Sequence, residues 1–270
     1  MSGWRARLPG LLAVALTACA PALREPPPVS VLAPGTSGAG SVDELLRAAD
    51  AAWSRRATDA KAAEEAQALY LDAAAADEHR VDGLLGAMRA TAFRIERERD
   101  APARARLAEQ AVQLGQWCQR RAPEEPACDY RLAIALGQQT REHRGTAKDA
   151  MHRMVDLLRR AIAKAPALDS AGPHRVLALL LLRAPAWPVG PGDPEAALEE
   201  ARAAAGLFPD VADNQLALGE ALGKNGAPEE AHAAYARART LAEAAAKAGD
   251  PDAAQWRAEA VAGMERYRVR

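Results

Sequence analysis

Two short segments in the C-terminal third of this sequence repeat each other at a spacing of 34 residues. The segment Gly192 to Ala197, GDPEAA, recurs as Gly226 to Ala231, GAPEEA, and the pair Ala204 and Ala238 keeps the same spacing. A period of 20 to 50 residues is typical of stacked repeats, in which each unit buries its apolar face against the next unit. The repetition predicts an array of small, similar units.

Composition indicates that these units are helical. Hydrophobic residues make up 49% of the chain, aromatic residues only 4%, and Ala is the commonest residue type. Ala has the highest helix propensity, whereas the aromatic and β-branched residues that favour strands are scarce here. We expect an all-α fold of about eleven helices joined by short Gly- and Pro-containing connectors. The balance of 35 Lys and Arg against 36 Asp and Glu leaves no basic surface for nucleic acid.

The second copy of the repeat resembles the tetratricopeptide repeat (TPR), whose period is also 34 residues. Its spacing L-G-x2-L-x3-G-x4-A-x3-Y-x2-A starts at Leu218 and ends at Ala238. Small residues at Gly219 and Ala231 allow two helices to approach closely, and Tyr235 fills the space between neighbouring pairs. We expect about five degenerate repeats and a closing helix near residues 250–268. The alternative is a generic Ala-rich helical bundle.

The N-terminus resembles a bacterial lipoprotein signal. Arg5 and Arg7 precede the apolar run Leu11 to Leu16, which is too short to span a bilayer, and the run ends in Leu16-Thr17-Ala18-Cys19. These last four residues match the lipobox, so the resemblance implies that residues 1–18 are removed and that Cys19 is lipidated. Ala20, where Asp would retain the protein in the inner membrane, implies an outer-membrane lipoprotein that faces the periplasm. The alternative is an ordinary secretory signal with an accidental Cys.

Residues 19–40 are rich in Pro and Gly, which predicts an extended tether between the lipid and the folded region, 41–270. A polyproline II chain of that length reaches roughly 65 Å at about 3.1 Å per residue. Ser41 with Glu44 three residues later predicts a capping box at the first helix.

Three further segments, in this order, resemble the TatT family, TPR lipoproteins associated with tripartite ATP-independent periplasmic (TRAP) transporters. They are Tyr130-x-Leu132-Ala133-x3-Gly137, the stretch Gly172 to Leu177, and Ala184-Pro185-Ala186-Trp187-Pro188-x3-Gly192-Asp193. The resemblance implies a periplasmic solenoid that docks a substrate-binding protein, and in the proposed family mechanism a groove or pore for a small hydrophobic ligand. Some members form trimers, so a homo-oligomer is a further option.

The loop around Trp187 is the candidate ligand site. Trp187 lies between Pro185 and Pro188 after a Leu-rich helix, and a Trp on a rigid loop can anchor a ligand. Arg175 could meet an anionic group nearby. The alternatives are that Trp187 fills a gap between two helices and that Arg175 is solvated or ion-paired.

The leading functional hypothesis is a non-enzymatic scaffold that binds another protein in a concave groove. Standard TPR geometry would direct Asp213, Leu216, Glu220 and Lys224 into that groove. The rival hypothesis is a carrier or pore component that encloses a small hydrophobic ligand near Trp187. The two hypotheses differ in whether the helices enclose an apolar tunnel.

No motif for catalysis, a cofactor or a metal site is found. The five His residues lack metal-ligand spacing, and the chain has no nucleophile elbow, phosphate loop or dinucleotide fingerprint. Cys118 and Cys128 lie ten residues apart in an oxidising compartment, where a disulfide would stabilise the fold by roughly 2 to 3 kcal/mol. The alternative is that Cys118 is simply a small buried residue.

Overall fold

A computed structural model describes residues 22–32 and 40–268 of the chain. The described residues form twelve α-helices, and their bounds are α1 Val29–Leu32, α2 Val42–Ser54, α3 Ala62–Ala76, α4 Asp82–Arg97, α5 Ala101–Arg121, α6 Pro126–Glu142, α7 Ala147–Lys164, α8 Leu168–Arg183, α9 Pro194–Leu207, α10 Ala212–Lys224, α11 Pro228–Lys247 and α12 Ala253–Arg266. The expected all-α fold is confirmed. In the described ranges, no helix combines the length and the apolar character that a membrane span needs.

The helices α2 to α11 form five antiparallel pairs that stack in series, and α12 closes the stack. The first helices of the pairs, α2, α4, α6, α8 and α10, pack on one another in that order, and α12 continues the row. The second helices, α3, α5, α7, α9 and α11, lie behind this row, each against its own partner. Direct packing of one row curves the stack, so that the row forms its concave inner wall.

Close contacts between small residues and Tyr rings hold neighbouring pairs together. A Cβ atom on Gly219 of α10 would lie 2.9 Å from the Tyr235 ring, and one on Gly263 of α12 would lie 2.4 Å from that ring. Tyr235 of α11 is therefore clamped between two glycines, as the sequence spacing predicts for Gly219. Gly86 and Tyr70 make the same kind of contact in an earlier repeat.

Helix starts follow from local sequence. Ser41 and Glu44 form the expected capping box at α2, in which Glu44 N–H donates to Ser41 Oγ at 3.3 Å. The repeated Pro194 and Pro228 occupy the first turns of α9 and α11, where no helical partner for their missing N–H is needed. The sequence repeat thus marks the beginning of the second helix in a pair.

A left-handed turn lies at the start of α8. Asp169, Ser170 and Ala171 have φ values of 49°, 55° and 63°, a region that side chains other than Gly rarely adopt. Regular helical backbone starts only after this turn, within the bounds of α8. The Tyr130 hydroxyl lies against Gly172, where a Cβ atom would come within 2.3 Å of it. The turn therefore depends on a Gly at residue 172.

The expectation of a free tether is wrong for residues 22–32. This segment lies along α5, where Trp117 Nε1 donates to Pro27 O at 2.7 Å and Gln116 Nε2 donates to Arg24 O at 2.8 Å. Val29 and Ala22 are buried against the repeats. Proline-rich sequence prevents long helices but not packing, because α5 supplies side-chain donors for backbone carbonyls that Pro leaves unpaired.

Candidate binding groove

The last three helices of the inner wall enclose a groove of about 380 Å³. Each helix contributes one face, since the lining residues follow helical spacing. The lining comprises Arg175, Leu179 and Arg183 of α8, Asp213, Leu216, Ala217 and Glu220 of α10, Tyr235 of α11, and Glu259, Ala262, Gly263 and Arg266 of α12. We call this cavity the C-terminal groove. Its walls combine apolar side chains with charges of both signs.

Asp213 is the distinctive charge in the C-terminal groove. Among the residues that the structure describes, its carboxylate has no hydrogen bond or ion pair, although it lies half-buried beside Arg175. Burial raises the pKa of Asp213 to about 6, and the Arg175 guanidinium only partly offsets that effect. A cationic or hydrogen-bond-donating group in the groove would relieve this cost.

Arg175 is held in place by α10. Its Nη1 donates to Asn214 Oδ1 at 2.6 Å, and Asn214 Nδ2 donates at 3.1 Å to the carbonyls of Ser170, Ala204 and Phe208. Asn214 is fully buried. Arg175 is therefore fixed within the groove wall by a side chain that also holds the left-handed turn.

Leu216 and Glu220 both line the C-terminal groove. Leu216 lines the groove beside Tyr235 and is mostly buried. Glu220 accepts hydrogen bonds from Arg183 Nε at 3.1 Å and Nη2 at 2.7 Å, which ties α10 to α8. Glu220 is thus already paired within the wall, unlike Asp213.

Lys224 does not line the C-terminal groove. It occupies the last residue of α10, exposed to solvent. The Tyr267 ring, which follows α12, lies against Gly223 and stacks on Tyr235 with 6.1 Å between ring centroids. These two rings close the groove one turn before Lys224, which explains why helical spacing alone misplaced that residue.

Trp187 and Pro188 lie on the exposed connection between α8 and α9. The Trp187 side chain is 87% exposed, so the expectation that it fills a gap between helices is wrong. Its indole stands clear of the helices instead of lining an enclosed cavity. Arg175 lies on the inner wall, so the three candidate ligand residues do not form one site.

Cys118 and Cys128 are bonded to each other, with 5.3 Å between their Cα atoms. The bond joins the end of α5 to the first turn of α6, and both residues are buried. It supports the packing between the second and third pairs. Cys19 lies outside the described residues.

The inner wall has a second groove of about 380 Å³ between α2, α4 and α6. Here several polar side chains pair with one another: Tyr70 donates to Asp50 and accepts from Arg89 Nη2 at 2.8 Å. Among the described residues, Arg89 Nε has no hydrogen-bond partner. Arg89 also lies 4.8 Å from the centroid of the Trp53 ring. The repeat pattern in this part of the sequence was too weak to predict these residues. Because these side chains already bond to one another, they have fewer hydrogen-bonding groups available to a ligand than the Asp213 carboxylate has.

Comparison with known proteins supports the fold and leaves the family open. No family model matches the chain, and no curated protein matches its sequence. The solved structure of TTC0263, a thermophilic TPR protein in Thermus thermophilus, matches 83% of this chain and 100% of its own with 18% identity and a TM-score of 0.61. MamA from Desulfovibrio magneticus, residue 41 to its end, matches 77% of this chain and 98% of its own at 17% identity and a TM-score of 0.49. The chain therefore has a TPR-type solenoid fold.

Proposed function

We propose that this protein is a non-enzymatic scaffold that binds a segment of a partner protein in its C-terminal groove. The observation that carries the proposal is Asp213, a half-buried carboxylate on the inner wall that has no partner among the described residues. Leaving such a group unpaired costs free energy unless a ligand compensates it. The Asp213 carboxylate on the inner wall can therefore accept a hydrogen bond from a cationic or N–H group of a partner protein.

The groove chemistry indicates what such a segment would present. A basic side chain or a free amino terminus would pair with Asp213, and an apolar side chain would pack on Leu179 and Leu216. Arg266, at the end of α12, could meet a carboxylate of the same segment. The preferred partner segment therefore carries a cationic group next to an apolar residue.

We further propose that the chain is anchored through a lipid on Cys19 and works in the periplasm at the outer membrane. The lipobox residues Leu16 to Cys19 and the disulfide between Cys118 and Cys128 support an exported protein. Within that setting, a periplasmic substrate-binding protein of a TRAP-type system is the partner that the TatT resemblance favours. Labelled fatty acid should be incorporated into the wild-type chain and not into Cys19→Ser.

The rival proposal of a hydrophobic-ligand carrier receives less support. A carrier site near Trp187 requires walls around the indole, and this side chain is 87% exposed. A monomeric apolar ligand, kept below the concentration at which it forms micelles, should give the same emission change, or none, in the wild type and in Trp187→Phe if the scaffold proposal is right.

Cross-linking from inside the groove tests the scaffold proposal. A photoreactive amino acid at residue 179 should capture a specific envelope protein, which is then purified for affinity measurement. We expect Asp213→Asn to weaken binding of that protein about tenfold, that is ~1.4 kcal/mol. Lys224→Ala is the matched control, since Lys224 lies on the same helix but outside the groove. Equal effects of the two substitutions, or none from Asp213→Asn, would contradict the groove assignment.

A further inference from the structure

The connection between α8 and α9 presents an apolar tip on a fixed backbone. Trp187 is 87% exposed and Val189 59%, with the exposed Pro188 between them. Below the tip, Gly192 N–H donates to Pro185 O at 2.9 Å and Asp193 N–H donates to Leu181 O at 3.0 Å. We call residues 187–189 the apolar tip. These hydrogen bonds fix the backbone of the loop, and the Trp187 indole remains exposed to solvent.

The apolar tip lies at the same edge of the solenoid as the start of the described N-terminal segment. Because successive helices are antiparallel, the end of α8 and the start of α7 lie at one edge. Ala22 N–H donates to Asp149 Oδ2 at 2.9 Å in the first turn of α7. A Cβ atom on Gly190 would lie 3.5 Å from Met151 Cε, two residues farther along the same helix. Both features therefore flank the start of α7.

Chain length ties this edge to the lipid. Cys19 precedes Ala22 by three residues, which span at most about 11 Å even when fully extended. This step rests on the proposed lipidation of Cys19. A lipid there brings the membrane surface to the edge that carries the apolar tip.

We propose that the apolar tip inserts into the interfacial layer of the bilayer in which Cys19 is anchored. Trp is enriched at membrane interfaces because its ring is apolar while its N–H remains hydrogen-bonded to water or headgroups. Charge contributes little to this contact, since exposed side chains of both signs lie at this edge. They include Lys148, Arg183, Lys224, Asp193, Glu195 and Glu229. The lipid supplies the attachment, and the tip sets the orientation of the solenoid on the membrane.

Fluorescence quenching by brominated acyl chains tests the proposal. The processed chain beginning at Cys19 is placed in phosphatidylethanolamine and phosphatidylglycerol vesicles with and without brominated lipid. We expect quenching for the wild type, loss of that quenching for Trp187→Ala, and the same quenching at high salt. Trp53→Phe is the matched control, because Trp53 lies on α2, partly buried against α4, and its loss should leave the quenching in place. Val189→Asp should reduce the quenching without removing the Trp.

A second arm separates this proposal from the lipidation on which it rests. Since Cys118 and Cys128 are bonded to each other, Cys19 is the free thiol of the processed chain and can be coupled to a maleimide lipid in the vesicle. Failure of natural lipidation then leaves the test of the tip intact. Equal quenching of wild type and Trp187→Ala in the coupled vesicles would overturn the proposal. So would an unquenched Trp187 whose substitution instead weakens capture of the partner protein.

Discussion

Arg175 of α8 donates a hydrogen bond from Nη1 to Oδ1 of Asn214 on α10 at 2.6 Å. The two N–H groups of the Asn214 amide are shared among three backbone carbonyls at 3.1 Å, including that of Ser170 in the left-handed turn. One buried side chain thus joins two helices of the inner wall and places the guanidinium beside Asp213. Groove geometry and local stability are coupled through Asn214.

Asn214→Ala should be strongly destabilising. The substitution removes the Asn214 donor from the carbonyls of Ser170, Ala204 and Phe208 and the Asn214 acceptor from Arg175, and it leaves a cavity at a fully buried site. We expect a loss of about 2 to 4 kcal/mol in the free energy of unfolding. Urea titration followed by circular dichroism measures the change. Gln255→Ala, which removes one exposed hydrogen bond to Glu259, serves as the control and should change stability little. Similar midpoints for the two variants would contradict the role of Asn214.

Ser170→Gly should stabilise the protein. Ser170 has a φ of 55°, where a side chain costs roughly 1 kcal/mol that Gly avoids. We therefore expect a higher urea midpoint. The control, Ala233→Gly on the exposed face of α11, should lower stability by about 1 kcal/mol. Loss of stability in both variants would show that the left-handed turn stores no such strain.

Asp213→Asn should raise stability in a pH-dependent manner. The pKa of Asp213 is raised to about 6 in the folded chain from an ordinary value of 3.8, so the folded state disfavours the charged carboxylate. Below about pH 4 the Asp213 carboxyl is protonated in the folded chain and costs no stability. As the pH rises through 6 the buried group ionises, and the free energy of unfolding falls. At pH 7.5 the Asn variant should therefore be more stable, by on the order of 1 kcal/mol, and at pH 4 the two chains should unfold alike. Thermal unfolding at both pH values makes the measurement, and a constant difference would contradict it.

Gly263→Ala should weaken the closing helix. The added methyl group would meet the Tyr235 ring at 2.4 Å, and relief requires α12 or the ring to move, at a cost of about 1 to 3 kcal/mol. Gly206→Ala is the opposite case, because no atom of the described residues outside the local helix lies within 4 Å of a Cβ there, and Ala favours a helix. Denaturant midpoints should fall for the first variant and rise for the second. A neutral Gly263→Ala would mean that Tyr235 is not clamped.

The repeat spacing predicted the fold because it reports directly on helix packing. The Tyr235 ring requires a small residue on each helix that it meets, Gly219 within its own pair and Gly263 on α12, so the spacing from Gly219 to Tyr235 predicted how these helices pack. The prediction that Lys224 lines the groove was wrong because the groove ends where the Tyr267 ring covers α10. That contact comes from a residue distant in sequence, so the helical spacing of α10 could not predict it. Arg175, Leu179 and Arg183 follow one another every four residues and therefore share one face of α8. That spacing could have predicted the wall of the groove that faces α10.

Other features had no sequence signal because tertiary contacts override local preference. The left-handed turn at Asp169 to Ala171 uses residues that normally avoid positive φ. The burial of Asp213 and its lack of a partner in the described part of the chain depend on α8 and α12, which its own helix does not reveal. Pro-rich residues 22–32 were expected to stay free, since their composition says nothing of the donors on α5.

The path of residues 22–32 along α5 has a consequence for how the protein would meet its partner. A lipoprotein on a long flexible linker adopts many distances and orientations relative to the membrane, and its groove binds a soluble partner much as a free protein in solution would. If Cys19 carries the proposed lipid, only two residues separate it from the first docked position at Ala22, and the solenoid would be held close to the membrane. Its inner wall would then keep a constant distance from the lipid plane, and a partner would be selected by reach as well as by chemistry.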